Sequence, residues 1–84
     1  MLERLPTPDE YDAALARHET LVVKFTAAWC APCQKIAPQI DELAQLAKEK
    51  AHFAEIDVDE NDEVTERLGI SSMPTFHVYS KGQL

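Results

Sequence analysis

Positive charge is scarce in this chain of 84 residues, which has 8 lysines and arginines against 15 aspartates and glutamates and a formal net charge of −7. A field of this sign repels phosphate backbones and anionic lipids, so neither nucleic acid nor a membrane is an expected partner. No apolar run approaches the roughly 20 residues that cross a bilayer, and no basic segment leads into an apolar one at the start. The expected location is therefore cytoplasmic.

Cysteine and glycine are also rare, with 2 of each, and there are no internal repeats or low-complexity tracts. Two cysteines are too few for the disulfide framework of a small secreted domain. The length allows one domain at most, and 45% hydrophobic residues are enough for a compact globule. We therefore expect residues 1–84 to form a single domain.

Capping signals mark the first elements. After a short strand at residues 1–5, Thr7 is placed as an N-cap, Pro8 as the first helical residue and Glu10 as the reciprocal capping-box acid. This pattern predicts a helix. Apolar or ring-bearing side chains then recur on one helical face at Tyr11, Leu15 and His18.

The rest of the chain alternates between strand and helix patterns. Residues 21–26 are β-branched or aromatic apart from Lys24, which is typical of a central strand buried on both faces. A long amphipathic helix is predicted to begin near Cys33 or just before it, with an apolar face at Ile36, Ile40, Leu43 and Ala47. Further predictions are a strand at 52–58, a helix at 61–68 closed by Gly69, a strand at 75–79 and a turn at 81–82.

This order of elements predicts an α/β layered domain whose first part is parallel. Its chemistry is expected at Cys30 and Cys33, because a Cys-x-x-Cys pair at a helix N-terminus lies one turn apart, close to the ~5.5 Å Cα separation that a disulfide prefers. Helix N–H groups and the helix dipole stabilise a thiolate at Cys30 and make it the expected nucleophile. Cys33 would attack the resulting mixed disulfide and release the reduced substrate.

Two other interpretations of the cysteine pair exist. The cysteines could be small buried hydrophobic residues, or they could be half of a zinc site. A closed zinc site needs about four ligands, and His18, His52 and His77 show neither metal-finger spacing nor a second Cys-x-x-Cys. Zinc or iron–sulfur binding shared between two chains stays open, but redox chemistry is favoured and no metal or cofactor is expected.

The motif Trp29-Cys30-Ala31-Pro32-Cys33, preceded by residues 22–27 and followed by residues 70–76, resembles the thioredoxin family, particularly its eukaryotic cytosolic members. The resemblance covers essentially the whole chain. It implies the thioredoxin fold, a central mixed sheet flanked by helices. It also implies a thiol-disulfide oxidoreductase that reduces protein disulfides, takes its electrons from an NADPH-dependent thioredoxin reductase and serves electron transport and cell redox homeostasis.

The resemblance also assigns roles by position. Cys30 becomes the attacking thiol and Cys33 the resolving thiol. Trp29 matches a surface indole beside the disulfide, and this indole is expected to form a hydrogen bond with Asp57 or Asp59. The sequence alone also allows an ordinary core tryptophan. Pro74 matches a cis-proline, and the backbone of Met73 before it can pair with an extended substrate segment. The expected substrate-contacting residues are thus Trp29, Ala31, Pro32, Met73 and Pro74.

Two substitutions depart from the family pattern. Ala31 replaces the usual glycine, which we expect to be a mild change. Lys24 replaces a buried aspartate that assists proton transfer to the second cysteine. A buried lysine is costly unless it is paired, and Glu55 on the neighbouring strand is the expected partner. Our hypothesis is that Glu55, or a water held by Lys24, relays the proton for Cys33; the alternative is that Lys24 only extends to solvent.

The third departure is at the end of the chain, where the family continues into an antiparallel edge strand and a final helix. The expected fold is therefore truncated after the fourth strand, with Phe76 and Val78 losing cover and strand 75–80 open at the edge. The chain would then be a fragment of a longer protein, a homodimer joined through this edge, or a marginal fold. A non-catalytic interaction module with the same fold is the competing function.

Overall fold

The computed structural model describes residues 2–84 and contains an α/β domain built on a mixed sheet. Within these residues four strands and three helices alternate along the chain. Their bounds are β1 (Glu3–Arg4), α1 (Pro8–Arg17), β2 (Thr20–Thr26), α2 (Ala31–Leu46), β3 (His52–Asp57), α3 (Asp62–Arg67) and β4 (Thr75–Ser80). The predicted element order is confirmed, although the Met1 end of the predicted first strand lies outside the described residues.

The described strands lie in the order β1-β3-β2-β4. β1 and β2 both run parallel to β3, and β4 runs antiparallel to β2. The prediction that the first part of the sheet is parallel and that residues 21–26 form a central strand is therefore correct. The sheet places β4 at one edge, as expected.

Local capping explains where α1 begins. The hydroxyl of Thr7 accepts a hydrogen bond from the backbone N–H of Glu10 at 3.2 Å and donates one to the Glu10 carboxylate at 3.3 Å. Pro8 occupies the first turn, where a missing N–H has no cost. The capping box predicted from the sequence is thus confirmed, and the helix ends at His18, its C-cap.

The hydrophobic core lies on one side of the sheet. Leu21, Val23 and Phe25 alternate along β2 and are fully buried. The helices α1 and α3 cover this side with Tyr11, Ala14 and Val64, and the Tyr11 hydroxyl donates to the Tyr79 hydroxyl at 2.9 Å. Burial and this hydrogen bond raise the pKa of Tyr79.

The helix α2 is much less covered than its sequence pattern predicts. Within residues 2–84, Cys33 is the only buried residue of α2. Of the predicted apolar face, Leu43 is exposed and Ile36, Ile40 and Ala47 are only half-buried, while Leu46 nearby is 80% exposed. The predicted amphipathic helix is confirmed in its position, and within residues 2–84 its apolar face is only partly covered.

The outer face of β4 is similarly open. Phe76 and Val78 alternate along this strand and are 37% and 55% exposed. After β4 the chain turns at Lys81 and Gly82, both with positive φ, and Ser80 forms an isolated antiparallel bridge with Gln83. The predicted loss of cover over β4 and the predicted turn are both confirmed.

Candidate redox site at the start of α2

Cys30 and Cys33 form a disulfide at the N-terminus of α2, with their Cα atoms 5.3 Å apart. Cys30 is the N-cap residue and has extended backbone, whereas Cys33 lies in the first helical turn. Both side chains are buried, Cys33 completely. The local sequence therefore predicts this arrangement correctly, and the structure has the oxidised form of the pair.

The backbone around Cys30 favours negative charge on its sulfur. The N–H of Cys33 points to the Sγ of Cys30 at 3.2 Å, and the first turn of α2 contains no acidic residue. The N–H groups at the start of a helix carry a partial positive charge that stabilises a thiolate by electrostatic attraction. Because the helix capping atom is the sulfur itself, opening the disulfide leaves a sulfur that already has a hydrogen-bond donor.

The segment at Met73 and Pro74 lies directly against the cysteines. The carbonyl oxygen of Met73 is 3.7 Å from the Sγ of Cys30, and the Met73–Pro74 peptide bond is cis. Both residues are half-buried. Although Met73 and Pro74 follow Cys33 by about 40 positions, the fold brings this backbone into contact with the sulfur of Cys30, as the family resemblance implies.

The indole of Trp29 lies on the surface beside the disulfide. Its side chain is 66% exposed, and its Nε1–H donates to the Asp59 carboxylate at 2.9 Å. Asp59 in turn donates its backbone N–H to the Asp57 carboxylate. The alternative of a core tryptophan is thus wrong, and of the two predicted acidic partners Asp59 makes the contact.

Ala31 and Pro32 are both exposed in the first turn of α2. Together with Trp29 they form an open apolar rim on one side of the disulfide. A methyl group at residue 31 projects from the surface and displaces no core atom. This exposure agrees with the expectation that the alanine is a mild change.

Lys24 on β2 and Glu55 on β3 form an ion pair within the sheet. They are direct partners in the parallel register of β2 and β3, and the Lys24 Nζ is 3.8 Å from the Glu55 Oε1. Lys24 is only 4% exposed, so its ammonium lies against Glu55 and does not extend freely into solvent. In residues 2–84 no hydrogen bond or ion pair joins either side chain to Cys33.

Arg4 is a neighbour of this pair that sequence reasoning missed. Its guanidinium contacts the carboxylates of Glu55, Asp57 and Glu60 at 3.8, 3.6 and 3.1 Å. The hydrogen bond to Glu60 raises the pKa of Arg4, and burial opposes this only in part. The only signal in the sequence is the acidic run after β3, and the pairing of β1 with β3 is needed to place an arginine beside it.

A cavity of about 370 Å³ connects these groups with the helix α2. Its wall includes Lys24, Glu55 and Arg4 from the sheet and Gln34 from the first turns of α2. The Nε2 of Gln34 donates a hydrogen bond to the carbonyl oxygen of Ala27 at 3.1 Å. This bond ties α2 to the segment between β2 and Cys30. The cavity thus lies between the ion pair and the first turns of α2, and Cys33 is not among the residues that line it.

The family model described as thioredoxin matches residues 4–84 of the chain. The chain belongs to the thioredoxin family. It is 42% identical to Thioredoxin 1 of Plasmodium falciparum over 82 residues, which is 98% of this chain and 78% of that protein. A solved structure of Plasmodium falciparum thioredoxin superimposes with a TM-score of 0.94 at 40% identity, covering 98% of this chain and 79% of the other. Mitochondrial thioredoxin 3 from Saccharomyces cerevisiae gives a TM-score of 0.93 at 30% identity, covering 99% and 77%.

Family membership and the bonded cysteine pair together identify a thiol-disulfide oxidoreductase of the protein-disulfide reductase type. They confirm the redox interpretation of Cys30 and Cys33 and the thioredoxin fold. They also favour this activity over the non-catalytic module considered from the sequence. No helix within residues 2–84 has the length and apolar character needed to cross a membrane.

Proposed function

We propose that Cys30 is the attacking thiolate and Cys33 the resolving thiol in the reduction of protein disulfides. The observation that supports these roles is the position of the Cys30 sulfur as the cap of α2, 3.2 Å from the N–H of Cys33. The Cys30 sulfur also lies 3.7 Å from the Met73 carbonyl oxygen, where a substrate would approach. Cys33 is fully buried in the first turn of the helix and is bonded to the Cys30 sulfur.

The reaction has two displacement steps. In the first, the Cys30 thiolate attacks one sulfur of the substrate disulfide, forms a mixed disulfide and releases the other substrate sulfur as a thiolate. In the second, Cys33 loses its proton and attacks the Cys30 sulfur, which breaks the mixed disulfide and releases the second substrate sulfur. Two electrons pass to the substrate, and the released thiolates take up protons. The Cys30–Cys33 disulfide is the product form of the chain.

The surface that receives the substrate consists, in this proposal, of the exposed rim and the segment across from it. Trp29, Ala31 and Pro32 offer apolar contacts on the α2 side, and Met73 and Pro74 line the other side. An extended peptide lying between them can hydrogen-bond to the backbone of Met73, as one strand does to another. Backbone pairing of this kind recognises an extended conformation more than a particular sequence.

Alkylation of the reduced chain tests the role of Cys30. We expect iodoacetamide to modify Cys30 much faster than Cys33, with a rate that reaches half its maximum at a pH below the value of about 8.5 for an ordinary cysteine. The reason is that the helix N-terminus stabilises the thiolate at residue 30. Mass spectrometry of peptides quenched at several pH values supplies both the rate and the site. A midpoint at or above that of free cysteine would refute the assigned role.

The wider setting is also part of the proposal. The electron donor is an NADPH-dependent thioredoxin reductase, and the chain acts in the cytoplasm as an electron carrier. Membership of the thioredoxin family supports this assignment. Reduction of the Cys30–Cys33 disulfide consumes two electrons, which matches the hydride that one NADPH delivers.

We also propose that Glu55 and Lys24 help Cys33 to lose its proton in the second step. Lys24 occupies a buried strand position, and the Glu55 carboxylate beside it is only partly buried and lines the cavity next to α2. A water in that cavity, held by Lys24, can pass the Cys33 proton to Glu55 without direct contact between the side chains. The pair therefore takes the place of a single buried acid.

Replacing Glu55 by Gln tests the relay. We expect resolution of the mixed disulfide to slow about tenfold, because a neutral amide cannot accept the proton, while formation of the mixed disulfide is unchanged. Glu60→Gln is the matched control, because it also removes one carboxylate from Arg4 but leaves the pair with Lys24 intact. The two steps are separated by quenched-flow mass spectrometry. Equal resolution rates in both variants would reject the relay.

A second property proposed from the structure is self-association. The open edge β4 carries the exposed Phe76 and Val78, and an unpaired edge with apolar side chains favours pairing with another strand. A homodimer joined through β4 would cover both side chains.

Light scattering over a range of concentrations tests this dimer. We expect the mean mass to rise towards twice that of one chain as the concentration rises, and Val78→Lys to shift the midpoint at least tenfold upwards because it places a charge in the interface. Ala13→Lys serves as the control, because it introduces the same charge on the exposed side of α1, away from β4. A constant mass of one chain at every concentration would rule out the dimer.

A further inference from the structure

Two histidines and a glutamate meet at the end of the sheet opposite to the cysteines. Glu3 lies on β1, His18 caps the C-terminus of α1, and His52 is the first residue of β3. One potential metal-binding atom from each of these residues lies within 4.8 Å of the other two. The redox mechanism uses none of them.

The contacts inside this cluster are close. The Nε2 of His52 and the Oε1 of Glu3 are 2.7 Å apart, and the rings of His18 and His52 are stacked with centroids 3.8 Å apart and planes inclined by 8°. Such a stack places two imidazoles and one carboxylate at a single point on the surface. Imidazole nitrogen and carboxylate oxygen are both ligands that Zn²⁺ prefers.

A second observation points to a missing partner. The Nε2 of His18 is buried and has no hydrogen-bond partner in the part of the chain that the structure describes. A buried polar atom without a partner costs free energy, so native proteins nearly always satisfy such atoms. A metal ion bound to an imidazole nitrogen is one of the ways to satisfy it.

We propose that Glu3, His18 and His52 form a binding site for a divalent transition-metal ion of the Zn²⁺ type. Two imidazole nitrogens and one carboxylate oxygen supply three ligands, and water or an exposed side chain supplies the fourth. The cavity beside the two histidines is lined by Glu19 and Glu49 and also by Lys48 and Lys50, whose charges offset one another. The attraction for a cation therefore comes from the Glu3 carboxylate inside the cluster. The ion would connect β1 and the end of α1 with β3, which is distant from both in sequence.

The cluster needs only a small change to take the ion. Tetrahedral ligands at bond lengths of about 2.0–2.1 Å lie about 3.3 Å from one another, so the atoms would have to close by about 1.5 Å at most. The lone pairs of stacked rings point in parallel directions, so one ring must also turn. His52 and Glu3 can make these movements, because about a third or more of each side chain is exposed.

Calorimetry with Zn²⁺ on the oxidised chain tests the site, because the Cys30–Cys33 disulfide prevents the cysteines from acting as ligands. We expect one ion per chain and a melting temperature that rises with the Zn²⁺ concentration. His18→Gln and His52→Gln should each weaken binding at least about tenfold. His77→Gln is the matched control, because this third histidine lies in β4 and contacts Tyr79 instead of the cluster.

NMR of the unaltered chain keeps the test independent of whether the variants fold. Zn²⁺ should shift the ring signals of His18 and His52 in step and leave those of His77 in place. Absence of binding, binding that both cluster variants retain at full affinity, or a shift confined to His77 would each overturn the proposal. Loss of this site would leave the disulfide reductase assignment untouched, because the cysteines are at the other end of the sheet.

Discussion

Replacing Cys30 by serine is expected to reduce disulfide reduction to the rate of dithiothreitol alone. A serine hydroxyl at the N-cap of α2 receives the same N–H from Cys33, but it ionises far above neutral pH and forms no bond that Cys33 could resolve. The measurement is reduction of a disulfide-bonded protein with dithiothreitol as donor. Rates above the background in this variant would contradict the roles proposed for the two cysteines.

Cys33→Ser separates the two steps of the same reaction. The first displacement still takes place, so we expect a covalent adduct between Cys30 and the substrate to accumulate and to be visible by mass spectrometry before reduction. Ala13→Ser, on the exposed side of α1, introduces the same hydroxyl far from the disulfide and should behave like the unaltered chain. If Cys33→Ser accumulates no more adduct than Cys30→Ser does, Cys30 is not the residue that attacks first.

Replacing Phe25 by alanine is expected to destabilise the fold by about 3–5 kcal/mol. Phe25 is completely buried in β2 and contacts the ring of His77 edge-on, with centroids 5.2 Å apart. A loss of this size is a large fraction of the roughly 5–15 kcal/mol by which a domain is stable, so much of the variant should be unfolded at 37 °C. Urea unfolding followed by circular dichroism measures the effect.

Phe76→Ala is the matched control, since it removes the same ring from the neighbouring strand. Phe76 is more than a third exposed on the open face of β4, so the expected loss is only about 1 kcal/mol. A loss as large as that of Phe25→Ala would mean that the β4 face is covered in solution, for example by a second copy of the chain. The comparison therefore also bears on the proposed homodimer.

The structure agrees most closely with the sequence wherever a signal is local. Thr7 and Glu10 cap α1, Asn61 caps α3 through the N–H of Val64, and Gly69 ends that helix with a φ of +70°. Each of these interactions joins residues that are at most a few positions apart. These interactions depend on residue types at fixed short spacings, so the pattern alone predicts where they form.

Side-chain burial could not be predicted in the same way. The apolar repeat of α2 indicated a covered face, but the face is partly open because no described element packs over Leu43 and Leu46. Trp29 shows the reverse case: the family resemblance placed it on the surface, the sequence alone also allowed a core position, and the structure leaves its indole exposed beside Asp59. Burial depends on what lies opposite a residue, and periodicity contains no information about that.

By itself the sequence determined the order of the elements, the start of each helix and the redox cysteine pair, because these depend on residues close together along the chain. Only the tertiary structure decided which distant groups meet. It placed Met73 against Cys30, Arg4 beside Glu55, and Glu3 with His52. The contacts of Arg4 and Glu3 follow from the parallel pairing of β1 with β3. The contact of Met73 follows from the path of the chain before β4, which returns to Cys30. Both arrangements arise only when the whole sheet assembles.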